Sequence, residues 1–261
     1  MEGPVSEDRV WGRNPVLALL RRGSRRADEV AVLAGGRGPL SEIVALARRS
    51  GVKVSYRTRD QLTAIAGSAD HQGVVARVAA ADYAELGELL QIPGRRRETP
   101  FFLALDQVQD PRNFGALLRT ADAFGVHGVV VPKHHAVGLT EAAVRTAMGA
   151  VEYVQVARET NLVSALGTLK ESGAWIYGAA AGGGIAPWAA DLRGPLCLVL
   201  GSEGEGLRPL VARTCDVIVS VPMRGGVGSL NVAAAGAILC YEVARQRAQN
   251  LKLLDSGPGR N

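Results

Sequence analysis

The stretch VPMRGGVGSLNVAAAGAI, residues 221–238, decides how the sequence around it is interpreted. An apolar run over residues 217–221 leads into Pro222, and an alanine-rich, helix-like segment follows Asn231. A connection from strand to helix usually needs about 2–6 residues. Here about ten residues are glycine-rich and nearly uncharged, which is typical of places where a ligand or another segment approaches the backbone closely. We therefore expect such a close approach at this loop.

Composition places the chain among soluble globular proteins. Of its 261 residues 47% are hydrophobic and 21% are charged, which is too apolar for wholesale disorder. No apolar segment approaches the roughly 20 residues that cross a bilayer. The N-terminal stretch MEGPVSEDRVWGRNP is polar and acidic, where a signal peptide would be basic and then apolar. We therefore expect a cytoplasmic protein without a membrane segment.

The pattern of cysteines and histidines does not support metal or disulfide chemistry. Cys197, Cys215 and Cys240 lie far apart and form no CxxC pair, and the four histidines are scattered. Cys197 falls in a strand-like run and Cys240 in a helix-like run, so both are expected to be buried, reduced thiols. We expect no metal site.

Positive charge is clustered along the chain. The formal net charge is +5 and the isoelectric point is about 9.4. Arginines concentrate at residues 21–26 (RRGSRR), 48–49 and 94–98 (GRRRE). Guanidinium groups bind phosphates through two hydrogen bonds and stack on bases. Any one cluster is compatible with a solvated surface, but together they favour RNA or DNA as a partner.

Residues 1–80 alternate helices and strands and predict a small α/β domain. Asn14 and Pro15 are interpreted as the N-cap and first-turn pair of a helix that Gly23 ends. Two more helices and three strands follow. Residues 81–100 contain a helical segment, DYAELGELLQ, and then the proline-bounded charge run IPGRRRETP, so we interpret them as a linker.

Residues 101–250 predict a second α/β domain with about six strands. Its strand-like runs, such as FFLALDQV and LCLVLG, are continuously apolar and alternate with helical segments. This alternation is typical of a parallel sheet with helices on both faces. Residues 251–261 are polar and glycine-rich, and we expect a flexible tail.

Polar residues follow three strands of this second domain, where open α/β sheets bind their ligands. They are Asn113, Arg119, Glu203, Ser229 and Asn231. Taken singly, Asn113 and Asn231 would be interpreted as helix N-caps, and Arg119 and Glu203 as surface charges.

Several common sites are excluded by their missing motifs. The sequence has no GxGxxG after a first strand, no GxxxxGK[ST] and no GxSxG. The glycine-rich loop at residues 200–207 carries Glu203 and Glu205, which would repel a pyrophosphate. A crevice of this kind suits a ligand with an adenosine and a positive charge but no phosphate. S-adenosylmethionine is such a ligand, but on the residues alone glycine-rich turns without a ligand are the favoured interpretation.

Three segments resemble the signature motifs of the SpoU (TrmH-like) family of RNA ribose 2′-O-methyltransferases. They are NFGALLRTADAFGV (residues 113–126), LVLGSEGEGL (198–207) and VSVPMRGGVGSLNVAAAGAI (219–238). The resemblance implies the SPOUT fold, an α/β domain with a mostly parallel sheet and a trefoil knot, and S-adenosylmethionine as cofactor. A knotted site would wrap glycine-rich backbone around a bent cofactor. Knots are nearly absent from other folds, so residue pattern alone does not predict one.

The N-terminal region carries a second resemblance. VWGRNPVLALLRRG (residues 10–23) and HQGVVARV (71–78) are similar to the start and end of an L30e-like substrate-binding domain found in some members of the family. The combination resembles the branch that methylates a guanosine of 23S ribosomal RNA. It implies an RNA substrate gripped by the N-terminal domain, with phosphate contacts at Arg21, Arg22, Arg25 and Arg26. It also implies a homodimer formed through the knotted domain.

The resemblance implies roles for the polar residues. Asn113, Arg119, Glu203, Ser229 and Asn231 match the family's catalytic set, and Gly201, Val221 and Leu230 match its cofactor contacts. The family proposal makes the arginine the base. Because arginine stays protonated in nearly all protein settings, it can instead hold the target phosphate and hydroxyl while the proton leaves late. Two positions depart from the family pattern: Gln107 replaces a common glycine and Gly228 a common serine.

The sequence leaves four readings of function, led by a 2′-O-methyltransferase for a 23S rRNA guanosine. A transfer-RNA ribose methyltransferase is the nearest alternative, although the smallest of those lack the L30e-like domain. An antibiotic-resistance methyltransferase of 23S rRNA shares the same layout. A non-catalytic RNA-binding protein of ribosome assembly is the fourth, and the intact set of polar residues argues against it.

Overall fold

The elements alternate between helix and strand along the chain in a computed structural model, which describes residues 7–251. In chain order they are β1 (Glu7–Trp11), α1 (Arg13–Arg22), β2 (Ala27–Leu33), α2 (Pro39–Arg49), β3 (Lys53–Arg57), α3 (Arg59–Ala66), β4 (Val74–Ala79), α4 (Leu86–Arg96), β5 (Phe101–Leu105), α5 (Pro111–Ala123), β6 (Gly128–Pro132), α6 (Glu141–Thr146), β7 (Gln155–Glu159), α7 (Leu162–Glu171), β8 (Trp175–Ala179), β9 (Leu196–Leu200), α8 (Pro209–Thr214), β10 (Val217–Val219) and α9 (Val232–Leu251). Short 3-10 helices lie at Ala150–Glu152 and Pro187–Ala189.

The chain divides into two units that differ from the predicted contiguous ranges. The first comprises the chain up to Asp82 together with Leu139–Tyr153, and the second comprises Tyr83–Gly138 and the chain from Val154 onward. Helix α4 belongs to the second unit and runs through the buried Pro93, so much of the predicted linker is helical. The predicted tail lies outside the described residues, apart from Leu251.

The first unit is built on a four-stranded sheet with the order β1-β4-β2-β3. Strand β4 is antiparallel to both of its neighbours, and β2 and β3 are parallel. Helices α1 and α2 cover one face, where Leu19 and Ile43 pack against Val30 and Val74. Helix α3 covers part of the other face through Leu62. The predicted small α/β domain is confirmed by this arrangement.

The start of this unit differs from the sequence prediction. Strand β1 precedes α1 and was not predicted. It is an edge strand, paired only with β4, and its sequence EDRVW carries charges where a buried strand would be apolar. Helix α1 begins at Arg13 after Gly12, and no side chain caps it, so the predicted N-cap role of Asn14 is wrong. Its predicted end is confirmed, because Gly23 adopts the left-handed conformation with φ of 63° and its N–H bonds to the carbonyl of Leu19.

The segment Leu139–Tyr153 completes the core of the first unit. Val144 of α6 is buried among the residues that lie between α1, α2 and the sheet. Gly149 passes so close to α1 that a Cβ there would lie 2.7 Å from the Cβ of Ala18. The carboxylate of Glu152, which is 4% exposed, pairs with Arg25. A segment about 60 residues downstream therefore supplies apolar and charged groups that the N-terminal residues need.

The second unit is built on a six-stranded sheet with the order β10-β8-β9-β5-β6-β7, and every pairing in it is parallel. Helices cover both faces. On one face α4, α7 and α8 contribute Leu89, Leu166 and Val211 to the core. On the other face, a Cβ at Gly236 of α9 would lie 2.4 Å from the side chain of Leu117 on α5, so the two helices pack closely. The predicted parallel sheet covered by helices is confirmed.

Buried positions in the second unit agree with the sequence reading of the thiols. Cys197 and Cys240 are buried and free, and Cys215 is partly buried. Burial raises the pKa of the Cys240 thiol to about 12 and that of the Cys215 thiol to about 11. These cysteines therefore pack as small apolar side chains. Across residues 7–251, no helix combines the length and apolar character needed to span a bilayer.

Candidate active site

The candidate site lies where the strand order of the second unit reverses. From β5 the chain proceeds outward through β6 and β7, whereas β9 lies on the other side of β5, followed by β8 and the edge strand β10. Open parallel sheets bind ligands outside the carboxyl ends of their strands at such a switch point. All six strands are parallel, so the loops after β5, β9 and β10 leave from the same edge.

Three predicted residues meet at this edge. The Nδ2 group of Asn113 donates to Glu203 Oε1 at 2.9 Å. Asn231 Nδ2 donates to the same Glu203 oxygen and to Asn113 Oδ1, the latter at 3.0 Å. The backbone N–H of Val232 also points to Glu203 Oε1, at 3.5 Å. One carboxylate oxygen is thus fixed by two amides from separate loops, which holds the carboxylate in a single orientation.

Asn231 is also the helix N-cap that its position in the sequence suggested. Its Oδ1 accepts hydrogen bonds from the N–H groups of Ala233 and Ala234, at 2.9 and 3.3 Å, so it caps the N-terminus of α9. The cap fixes the amide plane, and the Nδ2 group then points at Glu203. Capping and site geometry are therefore two uses of one side chain.

Asn113 is not a cap, and that part of the sequence reading is wrong. Helix α5 begins at Pro111, and Asp110 is the N-cap whose side chain accepts from the N–H of Arg112 at 2.7 Å. Asn113 lies inside the first turn. Its side chain is therefore available to Glu203 and Asn231 because Asp110 and Pro111 begin the helix.

A cavity of about 410 Å³ lies beside Glu203 at the carboxyl ends of β8, β9 and β10. The predicted cofactor residues all line it, and they are Gly201, Val221 and Leu230. Ser229 and Glu203 line it as well. The structure therefore brings the predicted cofactor positions and two of the predicted catalytic residues to one cavity.

Glycine is required in the loop after β9 because the backbone folds back on itself. A Cβ at Gly201 would lie 2.2 Å from the carbonyl carbon of Gly206, which no side chain permits. The N–H groups of Ser202 and Gly206 each donate to the carbonyl of the other residue, at 3.1 Å. Gly204 has a φ of 92°, which favours glycine. Glu203 therefore lies inside a tight turn that the hydrogen bonds between Ser202 and Gly206 close.

A second, polar cavity of about 440 Å³ borders the same carboxylate. Gln107, Gln109 and Asn113 line it, and Glu203 lines both cavities. Gln107 has a φ of 61°, the left-handed conformation that glycine adopts without strain, which accounts for the glycine common in the family at this position. Glu203 thus lies between a mainly apolar cavity of about 410 Å³ and a polar one of about 440 Å³, and we call the first the cofactor-sized cavity.

Two predicted catalytic residues stand apart from the carboxylate. Arg119 is exposed on α5, and no hydrogen bond or ion pair joins it to Glu203, Asn113 or Asn231 within the described residues. Ser229 is exposed at the cofactor-sized cavity without a hydrogen bond to that group. Their catalytic roles stay predictions.

The predicted RNA-binding arginines differ in their surroundings. The Arg25 side chain is only 8% exposed and pairs with Glu152 and Asp8, so it does not suit the predicted phosphate contact. Arg21 pairs with Glu42 and Arg26 with Asp28, both at exposed positions, and Arg22 is exposed. Of the four predicted residues, Arg21, Arg22 and Arg26 therefore keep their guanidinium groups at the surface, and Arg25 does not.

Sequence reasoning missed two features of the site. Asp106, fully buried at the end of β5, accepts from the N–H of Arg208 at 2.9 Å and from its Nε at 2.7 Å, which ties the loop after β9 to β5. The loop after β8, with Ala180 and Gly182, lines the cofactor-sized cavity. The run GAAAGGG at residues 178–184 was a glycine-rich signal after a strand, comparable to the motifs that were recognised.

Metal chemistry has no candidate centre in the described part of the chain. Between residues 7 and 251 no three histidine, cysteine, aspartate or glutamate side chains lie close enough together to hold a metal ion. The site therefore consists of one fixed carboxylate, two amides and a glycine-rich cavity.

Comparison with known families identifies the class of protein to which this site belongs. Residues 100–241 match the SpoU rRNA methylase family, and residues 9–84 match the substrate-binding domain of RNA 2′-O ribose methyltransferases. The chain therefore belongs to the SpoU rRNA methylase family.

Individual relatives extend over nearly the whole chain. The 23S rRNA (guanosine-2′-O-)-methyltransferase RlmB of Shewanella oneidensis is 42% identical over 245 residues, which is 92% of this chain and 98% of that protein. RlmB of Escherichia coli (strain K12) is 38% identical over 240 residues, with coverage of 92% and 98%. The YacO protein of Bacillus subtilis (strain 168), whose name assigns it provisionally to the TrmH family of tRNA/rRNA methyltransferases, is 41% identical over 240 residues, or 92% and 96% of the two chains.

Solved methyltransferase structures share the fold of this chain over most of its length. The SpoU methyltransferase AviRb from Streptomyces viridochromogenes, crystallised with AdoMet, superposes with a TM-score of 0.78 at 25% identity and covers 93% of this chain and 91% of its own. An AdoMet-bound rRNA methyltransferase from Sinorhizobium meliloti has a TM-score of 0.76 at 24% identity, with coverage of 92% and 87%, and its likeness concerns the fold alone.

Proposed function

We propose that this protein transfers a methyl group from S-adenosylmethionine to the ribose 2′-hydroxyl of a guanosine in 23S ribosomal RNA, acting in the cytoplasm. The observation that carries the proposal is the carboxylate of Glu203, fixed by Asn113 and Asn231 at the wall between two cavities. Relatives named as 23S rRNA guanosine methyltransferases at about 40% identity support the substrate.

The cofactor-sized cavity fits S-adenosylmethionine in size and chemistry. Gly201, Val221 and Leu230 would hold it, largely through backbone groups, because the loop at Gly201 has no room for a side chain. Glu203 and Glu205 on the wall favour a cationic ligand without phosphates. When bound, the cofactor supplies a methyl group on a positively charged sulfur.

In this reaction the residues of the protein orient the ribose 2′-hydroxyl that attacks the methyl group. Displacement requires the ribose oxygen to lie opposite the leaving sulfur, and fixed polar groups supply that alignment. Glu203 Oε2 accepts no hydrogen bond from a described residue, so it is available on the side of the polar cavity. We propose that Glu203 Oε2 accepts a hydrogen bond from the ribose 2′-hydroxyl or from Arg119.

Arg119 is assigned to substrate positioning. Its guanidinium stays protonated, so it holds the target phosphate and hydroxyl while the hydroxyl proton leaves to water late in the reaction. We expect Arg119→Ala to lose methyl transfer while S-adenosylmethionine binds with unchanged affinity. Arg213→Ala, an exposed arginine on α8, is the matched control and should retain activity. Unchanged turnover in Arg119→Ala would remove this residue from the mechanism.

A methyl-transfer assay tests the substrate. Tritiated S-adenosylmethionine is incubated with unmodified 23S transcript, 16S transcript and bulk tRNA, and the labelled RNA is digested to nucleosides. Label in 2′-O-methylguanosine from 23S RNA is the expected result. Label in tRNA alone would contradict the 23S assignment and leave the chemistry intact. Cofactor binding without transfer to naked RNA or ribosomal particles would contradict the enzymatic proposal.

We also propose that the protein acts as a homodimer through its second unit. Helix α9 exposes Ile238 (42%) and Tyr241 (56%), which are three residues apart and lie on one helix face. Phe124, directly after α5, contacts Tyr241 edge-on. An exposed apolar face of this kind supports burial against a second copy. Light scattering coupled to size exclusion should give twice the monomer mass of 27.4 kDa. A fully active monomer would contradict this assignment.

A further inference from the structure

One face of the first unit's sheet carries a row of charged residues that crosses all four strands. Arg9 of β1 lies opposite Arg77 of β4, and Arg77 lies opposite Glu29 of β2. Glu29 in turn lies opposite Lys53 of β3. Directly opposed residues of neighbouring strands point to the same face. The order Arg9–Arg77–Glu29–Lys53 is therefore a continuous row about 14 Å long, at roughly 4.8 Å per strand spacing.

The carboxylate in this row organises the cations around it. Glu29 is 7% exposed and forms ion pairs with Arg77 and with Arg57, the latter at 3.5 Å. It thereby holds two guanidinium groups side by side at the surface. The row carries three positive charges against one carboxylate, and Arg57 adds a fourth beside it, so these five residues have a net charge of +3.

A cavity of about 460 Å³ lies between this row and α3. Its floor is apolar and consists of Ala31, Ala64, Ile65 and Val75. Its rim consists of Arg9, Arg57, Arg77 and Glu29. An apolar lining beside guanidinium groups matches the two parts of an unpaired nucleotide, because the base packs against apolar side chains and guanidinium planes while its phosphate pairs with arginine.

Two cations of this face are free of ion pairs within the part of the chain that the structure describes, and so is Arg22 of the basic cluster. Within the described residues, Arg9 and Lys53 are exposed and form no ion pair. By contrast, Arg21, Arg25 and Arg26 of the basic cluster predicted from sequence each pair with a carboxylate. An arginine already paired with a carboxylate must give up that partner before it can bind a phosphate, whereas Arg9 and Lys53 have none to lose.

We propose that this sheet face binds a single-stranded segment of the RNA substrate, with phosphates at Arg9 and Lys53 and one base against the apolar lining beside α3. The inference rests on the proposed RNA methyltransferase function and assigns its substrate grip to a surface other than residues 21–26. Phosphate contacts of this kind fix the position of the RNA and do not choose its sequence.

The experiment measures binding of 23S rRNA fragments to the full-length protein as a function of salt. The variant Arg9→Gln/Lys53→Gln removes two positive charges that form no ion pair among the described residues, and the buried carboxylate of Glu29 keeps Arg57 and Arg77 as partners. Arg48→Gln/Arg49→Gln on α2 removes the same charge from the opposite side of the sheet and is the matched control. Circular dichroism and S-adenosylmethionine affinity report whether each variant is folded.

Every phosphate of a single strand that the protein neutralises adds about 0.7 to the slope of log Kd against log salt. We expect the Arg9/Lys53 variant, which neutralises two phosphates fewer, to lower that slope by about 1.4 and to raise KM for RNA with kcat unchanged at saturation. The Arg48/Arg49 control should leave the slope unchanged. A charge-reversed variant, Arg9→Glu/Lys53→Glu, should weaken binding further.

The outcomes separate this inference from the function on which it rests. Wild-type activity with an unchanged salt slope in the Arg9/Lys53 variant would overturn the surface and leave the methyltransferase intact. An equal loss in the Arg48/Arg49 control would also overturn it, because net charge alone would then explain binding. A wild-type protein that binds S-adenosylmethionine but neither binds nor methylates ribosomal RNA would overturn both.

Discussion

A single carboxylate oxygen connects the three loops of the candidate site. Glu203 Oε1 accepts from Asn113 and Asn231, which lie 90 residues before it and 28 residues after it. Both asparagines are tied to helix starts, so the carboxylate is held by elements of the fold and not by a flexible loop. Its orientation is therefore set before any substrate binds.

We expect Glu203→Gln to lower the rate of methyl transfer by at least about 10-fold, which corresponds to about 1.4 kcal/mol of barrier. The substituted amide carries a donor that would face the donating Nδ2 groups of Asn113 and Asn231 if its nitrogen occupied the Oε1 position. Single-turnover transfer measures the rate, and calorimetry measures cofactor affinity, which should change little. Glu171→Gln, at the exposed end of α7, is the control. Equal losses in both variants would mean that the loss of one negative charge, and not the fixed orientation, matters.

Gly201 is the residue at which the cofactor-sized cavity tolerates no side chain. We expect Gly201→Ala to weaken S-adenosylmethionine binding at least about 10-fold, because the added methyl would lie 2.2 Å from the Gly206 carbonyl carbon and displace the loop. Isothermal titration measures the change in Kd. Gly225→Ala, where no atom lies within 4 Å of the added carbon, should bind normally. Normal binding by Gly201→Ala would place the cofactor elsewhere.

At the scale of elements, strands were predicted where the sequence is continuously apolar. Strands β5, β6 and β9 are buried along their whole length, and their runs of Val, Leu and Phe indicate this directly. Strand β1 has only one neighbouring strand, β4, and its charged residues interrupt the apolar pattern that predicts a strand. The Glu203 contacts could be anticipated only from the family motifs, since each asparagine alone suggests a cap.

The start of β5 depends on a neutral histidine. His127 Nδ1 accepts from the N–H of Phe101 at 3.1 Å, and its Nε2 lies 2.9 Å from Glu98. Burial lowers the pKa of His127, and the nearby Glu98 opposes that shift only in part. Because Nδ1 must be unprotonated to accept from the N–H of Phe101, protonation would exchange that hydrogen bond for donation to the Phe101 carbonyl oxygen, 3.3 Å away.

Stability of the second unit should therefore fall as pH falls. Below the ordinary histidine value of about 6.5, the unfolded chain binds a proton at His127 that the folded chain does not, so the free energy of unfolding rises with pH. This one group contributes a slope of at most about 1.4 kcal/mol per pH unit. Urea unfolding between pH 7.5 and 5.5 measures it. His127→Gln should show a shallower slope, and His134→Gln, at an exposed position, should match the wild type. Parallel slopes in all three proteins would contradict the assignment.

At the scale of the whole molecule, the two units do not correspond to two stretches of sequence. The chain passes between them after Asp82, Gly138 and Tyr153. The periodicity that predicted a helix near residues 140–150 does not say which core that helix joins, because such contacts depend on residues far apart in sequence. Arg25 shows the same limit: its partner Glu152 lies 127 residues away, so the sequence suggested a surface cation.

Val144 provides a test of this division. We expect Val144→Asp to place a charge in the core between α1, α2 and the sheet, and to remove hydrogen-exchange protection from residues 7–82. Protection of β5 and β9 and the affinity for S-adenosylmethionine should stay close to wild type. Asp substitution at the neighbouring exposed Arg145 is the control for adding an acidic group to α6. Loss of protection confined to the second unit would show that α6 belongs there.

During translation, Leu139–Tyr153 is synthesised well after the rest of the first unit. A ribosome adds about 5–20 residues per second, so roughly 4–14 s pass between the appearance of Asp82 and that of Tyr153. During this interval the nascent N-terminal sheet lacks Val144 from its core and Glu152 beside Arg25. Early folding of that half is consequently incomplete, and a chaperone that binds exposed apolar surface on nascent chains has its opportunity in those seconds.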